Sequence, residues 1–277
     1  MRMVKLAWQK LKGPSSSRAI YLKHFTKFPN IGDRFSLLLA EKTFGHKIIT
    51  CNELPLKTKN LILVGSIIHW ADEHSIVSGA GFIAQHVKIK QKPSLIVSVR
   101  GPLTAEKLRE QGIDCTTRYA DPGVLAVRMF SGKTETKYPI GFIPHYWDLS
   151  NTFTEYCRHL GICILNVQDD PDVFFNQMRE CEVLFSSSLH GLIFAHSFGK
   201  PALWLEVSNK VIGDGFKFYD YYSSLGIKPE KVVRQVIRPD QFPNPMVLRD
   251  EATFCSQSAL ISNIEESLHI VKQNLFG

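Results

Sequence analysis

Three junctions between a strand-like run and a helix-like run carry the polar residues of this 277-residue chain that are best placed for chemistry. The first is Asn30-Ile31-Gly32-Asp33. Asn30 and Asp33 read either as turn and cap residues or as groups that meet a sugar hydroxyl, and Gly32 lets a ligand approach the backbone. The second is Ser98-Val99-Arg100-Gly101-Pro102-Leu103-Thr104, with Arg100 where a strand ends and a helix begins. Its guanidinium fork either pairs locally or meets a phosphate or carboxylate that also sees the free N–H groups of the helix start. The third is Ser186-Ser187-Ser188-Leu189-His190-Gly191, which puts His190 in the first turn of a helix. An imidazole can give or take a proton near neutrality, although a helix-start histidine equally serves as a cap or in packing. His196, in the apolar stretch that follows, reads as a packing residue.

Three further segments signal less. Gly79-Ala80-Gly81 is a phosphate-facing loop or a tight turn. His145-Tyr146 follows a strand and reads first as structural, with cleft lining as the alternative. Lys217 stands between Phe216 and Phe218, held near a ligand anion or snorkelling to the surface.

The elements that must position these residues alternate. Strand patterns fall at residues 19–25, 61–68, 75–77 and 95–99, with helices at 35–44, closed by Gly45, and at 102–111, stopped by Gly112. Asp121-Pro122-Gly123 marks a turn. A second series has strands at 139–143, 162–166, 183–186 and 201–206, a helix at 171–179, another after Ser188 and a long last one at 257–275. Such alternation predicts largely parallel sheets. We expect two doubly wound α/β domains facing a cleft, at residues 19–132 and 133–256, with segment 257–277 crossing back to brace the first. No internal repeat is visible in the sequence. In open α/β sheets ligands gather at the carboxyl ends of the strands, where all three junctions lie.

Charge narrows the partners. There are 33 Lys+Arg against 26 Asp+Glu, a net +7, but Arg2, Lys5, Lys10, Lys12, Arg18, Lys23 and Lys27 all precede Asp33, the first acid. The remaining body is neutral, which argues against a phosphate-backbone stripe and against nucleic acid as partner. Residues 1–12 set Val4, Ala7, Trp8 and Leu11 on one helical face and Arg2, Lys5, Gln9 and Lys12 on the other, followed by a Gly-Pro-Ser linker to residue 18. That basic leader either lies on an anionic membrane surface or packs on the protein itself. No run of about 18 apolar residues and no secretory signal is present, which suggests a cytoplasmic protein. The six cysteines lack any CxxC spacing, so neither a zinc site nor a disulfide framework is expected, and no metal is assigned.

In order and spacing, the motifs resemble the polysaccharide pyruvyl transferase family. The matching segments are Asn30-x-Gly32-Asp33, Leu63-Val64-Gly65-Ser66, Val99-Arg100-Gly101-Pro102-Leu103-Thr104 with Gly112, Asp121-Pro122, Ile143-Pro144-His145-Tyr146, Ser187-Ser188-Leu189-His190-Gly191, and Lys217 with Asp220 and Leu225-Gly226. The resemblance implies two Rossmann-like domains similar to the two-domain, GT-B-type glycosyltransferases. It implies transfer of the enolpyruvyl group of phosphoenolpyruvate, the co-substrate, onto two hydroxyls of a sugar, with release of phosphate and no bound cofactor. The acceptor class is a bacterial surface or capsular polysaccharide or its lipid-linked precursor.

By the same resemblance Arg100, His190 and Lys217 are donor-site candidates, and the needs of the chemistry then make His190, Arg100 and Asp33 the catalytic candidates. Arg100, Ser187, Ser188, Leu189, His190 and Lys217 form a donor side, and Asn30, Asp33, Gly65, Ser66 and His145 an acceptor side. Many members carry arginine where this chain has Ser188, so Arg100, Lys217 and the helix starts are left to hold the donor's acidic groups. The alternatives are a nucleotide-sugar-dependent glycosyltransferase, or a non-catalytic carbohydrate or membrane-surface binding protein of the same fold.

Overall fold

In the computed structural model, which describes residues 19–115 and 117–276, ten short strands form two five-stranded sheets, and every strand pair is parallel. The basic leader of residues 1–18 lies outside the described residues, and with it the expected amphipathic helix and linker. The first sheet contains β1 (Ile20–Lys23), β2 (Ile48–Cys51), β3 (Asn60–Ile62), β4 (Ser75–Ser78) and β5 (Leu95–Ser98), in the order β2-β1-β3-β4-β5. The second contains β6 (Tyr138–Ile143), β7 (Cys163–Ile164), β8 (Cys181–Ser186), β9 (Ala202–Glu206) and β10 (Arg234–Val236). Its order, β7-β6-β8-β9-β10, repeats the first. In each sheet the direction of winding reverses between the first and third strands, opening a crevice at their carboxyl ends.

The helices start and stop for local reasons. In α1 (Ile31–Phe44) the Asn30 side chain accepts the Gly32 N–H, and Gly45, at φ 65°, closes the last turn by donating its N–H to the Glu41 carbonyl. Pro102 and Pro171 stand at the starts of α2 (Pro102–Arg109) and α4 (Pro171–Glu180), where a missing N–H costs nothing. Between them α3 (Thr152–His159) is capped by Asn151. All nine residues of α5 (Leu189–Ser197) are buried, so it is a core helix with no solvent face. The other longer helices are α6 (Phe216–Ser224) and α7 (Ser258–Phe276), and single helical turns occur at Ala126–Met129 and Pro245–Leu248.

One apolar core runs across both sheets. Phe35 of α1 packs 5.3 Å from Phe194 of α5 and 6.5 Å from Phe175 of α4, centroid to centroid, and the Ile31 N–H donates to the Val167 carbonyl at 2.7 Å. Each such buried ring contributes roughly 1.5–3 kcal/mol of transfer free energy. That seam fixes the first residues of α1 against the second half. The last helix packs on β4 and β5, with Arg118 paired to Glu266 at 2.7 Å and the Asn263 amide donating to the Tyr119 carbonyl at 3.1 Å.

Several expected strands are shorter than their patterns. The run at 61–68 leaves the sheet after Ile62 because Gly65, at φ 121°, turns the chain, and it ends in a short turn of 3-10 helix at Ile68–Trp70. The run at 162–166 contributes only Cys163–Ile164. Conversely β2, β10 and α3 had no clear pattern. The Gly79-Ala80-Gly81 segment faces no open loop. A Cβ on Gly79 would lie 2.3 Å from Pro122 Cδ, and one on Gly81 2.5 Å from the guanidinium carbon of Arg100.

Candidate active site

The two crevices face one another, and their residues meet. After β1 and β3 come Asn30, Gly32 and Asp33, then Gly65 and Ser66; after β6 and β8 come His145 and Tyr146, then Ser187, Ser188 and His190. The contact between them is tight. A Cβ on Gly32 would stand 2.1 Å from His190 Nδ1, so only glycine admits the imidazole against the start of α1.

His190 turns Nε2 toward Asp121 Oδ2, 3.7 Å away, and neither atom has a hydrogen-bond partner among the described residues. The other carboxylate oxygen of Asp121 accepts the Gly123 N–H at 2.9 Å, which fixes the side chain. A buried carboxylate behind Nε2 orients the ring, whose Nδ1 edge lies against Gly32. In the sequence Asp121 reads as the first residue of a turn and as part of the Asp121-Pro122 segment of the family pattern, with no sign of its histidine partner.

Asp33 and Lys217 supply the remaining ionisable pair. Burial raises the Asp33 carboxyl to about 7, with His190, Lys217 and the Phe25 N–H opposing that rise. Burial lowers the Lys217 ammonium to about 8, and neighbouring Arg100 pushes it the same way while Asp33 and Asp148 resist. Lys217 is only 8% exposed, and its Nζ makes no hydrogen bond among the described residues. Its ammonium lies 5.5 Å from the Phe218 ring centroid, and a largely buried cation held by a ring and not by a hydrogen-bonded carboxylate is suited to a small anion. His145 is pushed down to about 3 by burial and by Lys217, so its ring is neutral, with Nδ1 accepting the Trp147 N–H at 3.4 Å.

Other expected ligand groups turn out to be supports. Arg100 is fully buried. Its Nε donates to Asp220 Oδ2 at 2.9 Å, one terminal nitrogen to Ser66 Oγ at 2.8 Å and the other to the Phe82 carbonyl at 2.6 Å. It therefore stands behind Lys217 as a strut and a fixed charge, and does not present an open fork. The rest of its motif explains this. Thr104 donates both its N–H (2.9 Å) and its hydroxyl (2.7 Å) to Asp220, and a Cβ on Gly101 would lie 2.0 Å from the Asp220 carbonyl oxygen. Ser187 is likewise committed, donating to Asp148 Oδ2 at 2.7 Å and accepting the His145 N–H at 2.8 Å. Ser208 completes the Asp148 carboxylate at 2.5 Å. Asn30 is spent as a cap, Ser66 is held by Arg100, and the Leu189 side chain is core. Gly65 sits beside Asp33, where a Cβ would be 3.8 Å from Oδ1.

The geometry brings His190, Asp33 and Lys217 together at the carboxyl ends of the two sheets. A family model for polysaccharide pyruvyl transferases matches residues 23–209. The chain belongs to that family. The match takes in every residue above except Lys217 and Asp220 of α6. Two relatives extend the likeness. The uncharacterized protein L143 of Acanthamoeba polyphaga mimivirus is 31% identical over 264 residues, 91% of this chain and 90% of its own length. The succinoglycan biosynthesis protein ExoV of Rhizobium meliloti (strain 1021) is 28% identical over 184 residues, covering 62% of this chain and 56% of its own length. No solved structure gives a significant match. Within this member of the family Ser188 is the N-cap of α5 without a side-chain cap bond, so its hydroxyl and the first N–H groups of the helix stay available. Among the described residues no helix is long and apolar enough to cross a membrane, and no cluster of metal-ligating side chains occurs.

Proposed function

We propose that the protein transfers the enolpyruvyl group of phosphoenolpyruvate onto two hydroxyls of one sugar unit, in a polysaccharide or its lipid-linked precursor, forming a cyclic ketal and phosphate. The observation that carries this reading is the convergence of His190, backed by Asp121, with the desolvated Lys217 and Asp33. Lys217, the Ser188 hydroxyl and the first N–H groups of α5 hold the donor's phosphate and carboxylate, with Arg100 adding fixed positive charge. Asp33 takes the proton of the first acceptor hydroxyl as its oxygen bonds to the central enol carbon. His190 delivers a proton to the methylene, which becomes the methyl group. The second hydroxyl then forms its bond to the same carbon as the carbon–oxygen bond to phosphate breaks, and its proton leaves with the phosphate. On this reading the halves work as in GT-B-type glycosyltransferases, residues 19–132 toward the acceptor and 133–256 toward the donor. The basic leader of residues 1–12 would hold the enzyme at the inner face of an anionic membrane.

Ligand-dependent thermal stabilisation tests the donor. Phosphoenolpyruvate is expected to raise Tm and uridine diphosphate to leave it unchanged. Stabilisation by the nucleotide alone would favour a nucleotide-sugar transferase, and stabilisation by neither a non-catalytic binding protein.

The titrations fix an expected pH profile. Asp33 must be ionised to act as base and Lys217 protonated to hold the anion, so kcat/KM should rise through pH about 7 and fall above about 8. The stability effect has the opposite sense. The folded chain keeps the Asp33 proton up to about 7 while the unfolded chain releases it near 3.8, so stability declines as pH rises between those values. Asp33→Asn should accordingly raise Tm at pH 8 while abolishing the rising limb of the rate profile. A variant with unchanged Tm and profile would remove Asp33 from the base role.

A further inference from the structure

An aromatic ledge borders the site and is not used by the chemistry above. Phe28, after β1, lies 5.4 Å from both Tyr146 and Trp147, after β6. Phe25 continues the series at 6.2 Å from Phe28 and 6.4 Å from Trp70, and Tyr146 stands 5.1 Å from Trp147. None of these five rings is buried, and Trp147 is 44% exposed. Large aromatic rings left partly in solvent, drawn from both halves and gathered in one row, usually await a ligand with an apolar face.

The ledge adjoins the reacting groups. The Phe25 N–H bonds the Asp33 carboxyl, and the Tyr146 hydroxyl is pushed up first by burial and then by the charge of Asp33. Its mounting is rigid. The Trp70 carbonyl accepts the buried Lys23 ammonium at 2.8 Å, and Asp148, the residue after Trp147, is locked by Ser187 and Ser208.

We propose that this ledge is the acceptor subsite, on which a neutral pyranose ring of the glycan lies with its C–H face on Phe28, Tyr146 and Trp147 and its hydroxyl pair toward Asp33. The assignment rests on the pyruvyl transfer reading and specifies its second substrate. Charge selects the occupant. Lys27 already covers the Phe28 ring, its Nζ 5.6 Å from the centroid, so Tyr146 and Trp147 offer the more open faces, and their negative potential favours an uncharged ring over an anion. A sugar ring has no net charge, presents axial C–H groups to the rings and keeps hydroxyls at its edge for Asp33 and the neutral His145.

The test separates this subsite from the reaction. Saturation-transfer NMR with the neutral methyl glycosides of galactose, glucose and mannose reads ring contact directly, without phosphoenolpyruvate. Wild-type protein should give transfer strongest at the axial C–H protons of at least one of them. In Trp147→Ala and Phe28→Ala that transfer should fall at least fivefold, and Trp147→Phe should recover part of it. Stabilisation by phosphoenolpyruvate should remain within a factor of two of wild type in all three variants. Absence of transfer in wild type, or transfer undiminished in variants that still bind phosphoenolpyruvate, would overturn the proposal. Loss of phosphoenolpyruvate binding in wild type with glycoside transfer intact would overturn the donor reading and leave the ledge standing.

Discussion

His190→Ala should lower the rate of phosphate release from phosphoenolpyruvate, measured with acceptor present, by about 10²–10⁴-fold, the range typical for losing a positioned proton carrier. The imidazole lies between the Gly32 backbone and Asp121, and Nε2 has no hydrogen bond to lose, so the variant should fold and bind donor. The loss should therefore appear in kcat, with the KM for phosphoenolpyruvate little changed. Asp121→Asn offers the complementary reading, since it keeps the shape and the Gly123 bond but removes the charge behind the ring. It should give an intermediate rate and a displaced pH profile. A wild-type rate in His190→Ala would take that residue out of the chemistry.

Arg100→Leu should destabilise the fold on the order of 3–5 kcal/mol in urea unfolding, because it strands a fully buried carboxylate. Asp220 would keep its two bonds from Thr104 but lose its counter-charge, and Ser66 and the Phe82 carbonyl would lose a shared donor. Combining Arg100→Met with Asp220→Asn removes both charges together and should recover much of that stability. If Arg100 were instead an open fork for the donor, the single variant would keep its unfolding midpoint and lose only affinity for phosphoenolpyruvate. The two outcomes differ in the measured quantity as well as in size.

What the residues disclosed before the structure follows from how local each signal is. Gly45 closes α1, and Pro102 and Pro171 start α2 and α4, as expected, because caps act on the backbone within a turn of themselves, whereas α1 begins at Ile31, four residues before the expected start at 35. The edge strands β2 and β10 escaped notice because half-exposed runs of three or four residues lack a clear apolar pattern. The matching strand order of the two sheets was equally hidden, since the order in which strands pair leaves no local pattern and the halves share no visible sequence repeat.

The site divides in the same way. His190 and Asp33 could be singled out by residue type at strand-to-helix junctions, and Lys217 only as a lysine between two aromatic residues and through the family resemblance. The role of Arg100 could not, because its partner Asp220 is 120 positions away in sequence and no local pattern distinguishes a buried strut from an open fork. Asp121 looked like a turn residue for a similar reason. Its first oxygen does make the turn, and the second reaches a histidine carried by another sheet. Distant pairings of this kind also separate the supports Ser187 and Asp148 from the groups that can touch a ligand.

The reaction itself is read most directly by mass spectrometry of an acceptor oligosaccharide after incubation with phosphoenolpyruvate, together with an assay of free phosphate. The expected product is heavier than the acceptor by phosphoenolpyruvate less phosphoric acid, one phosphate appears per ketal formed, and His190→Ala forms neither at a comparable rate. An acceptor that gains a hexose from a nucleotide sugar, or that stays unchanged while the protein binds it, would contradict pyruvyl transfer.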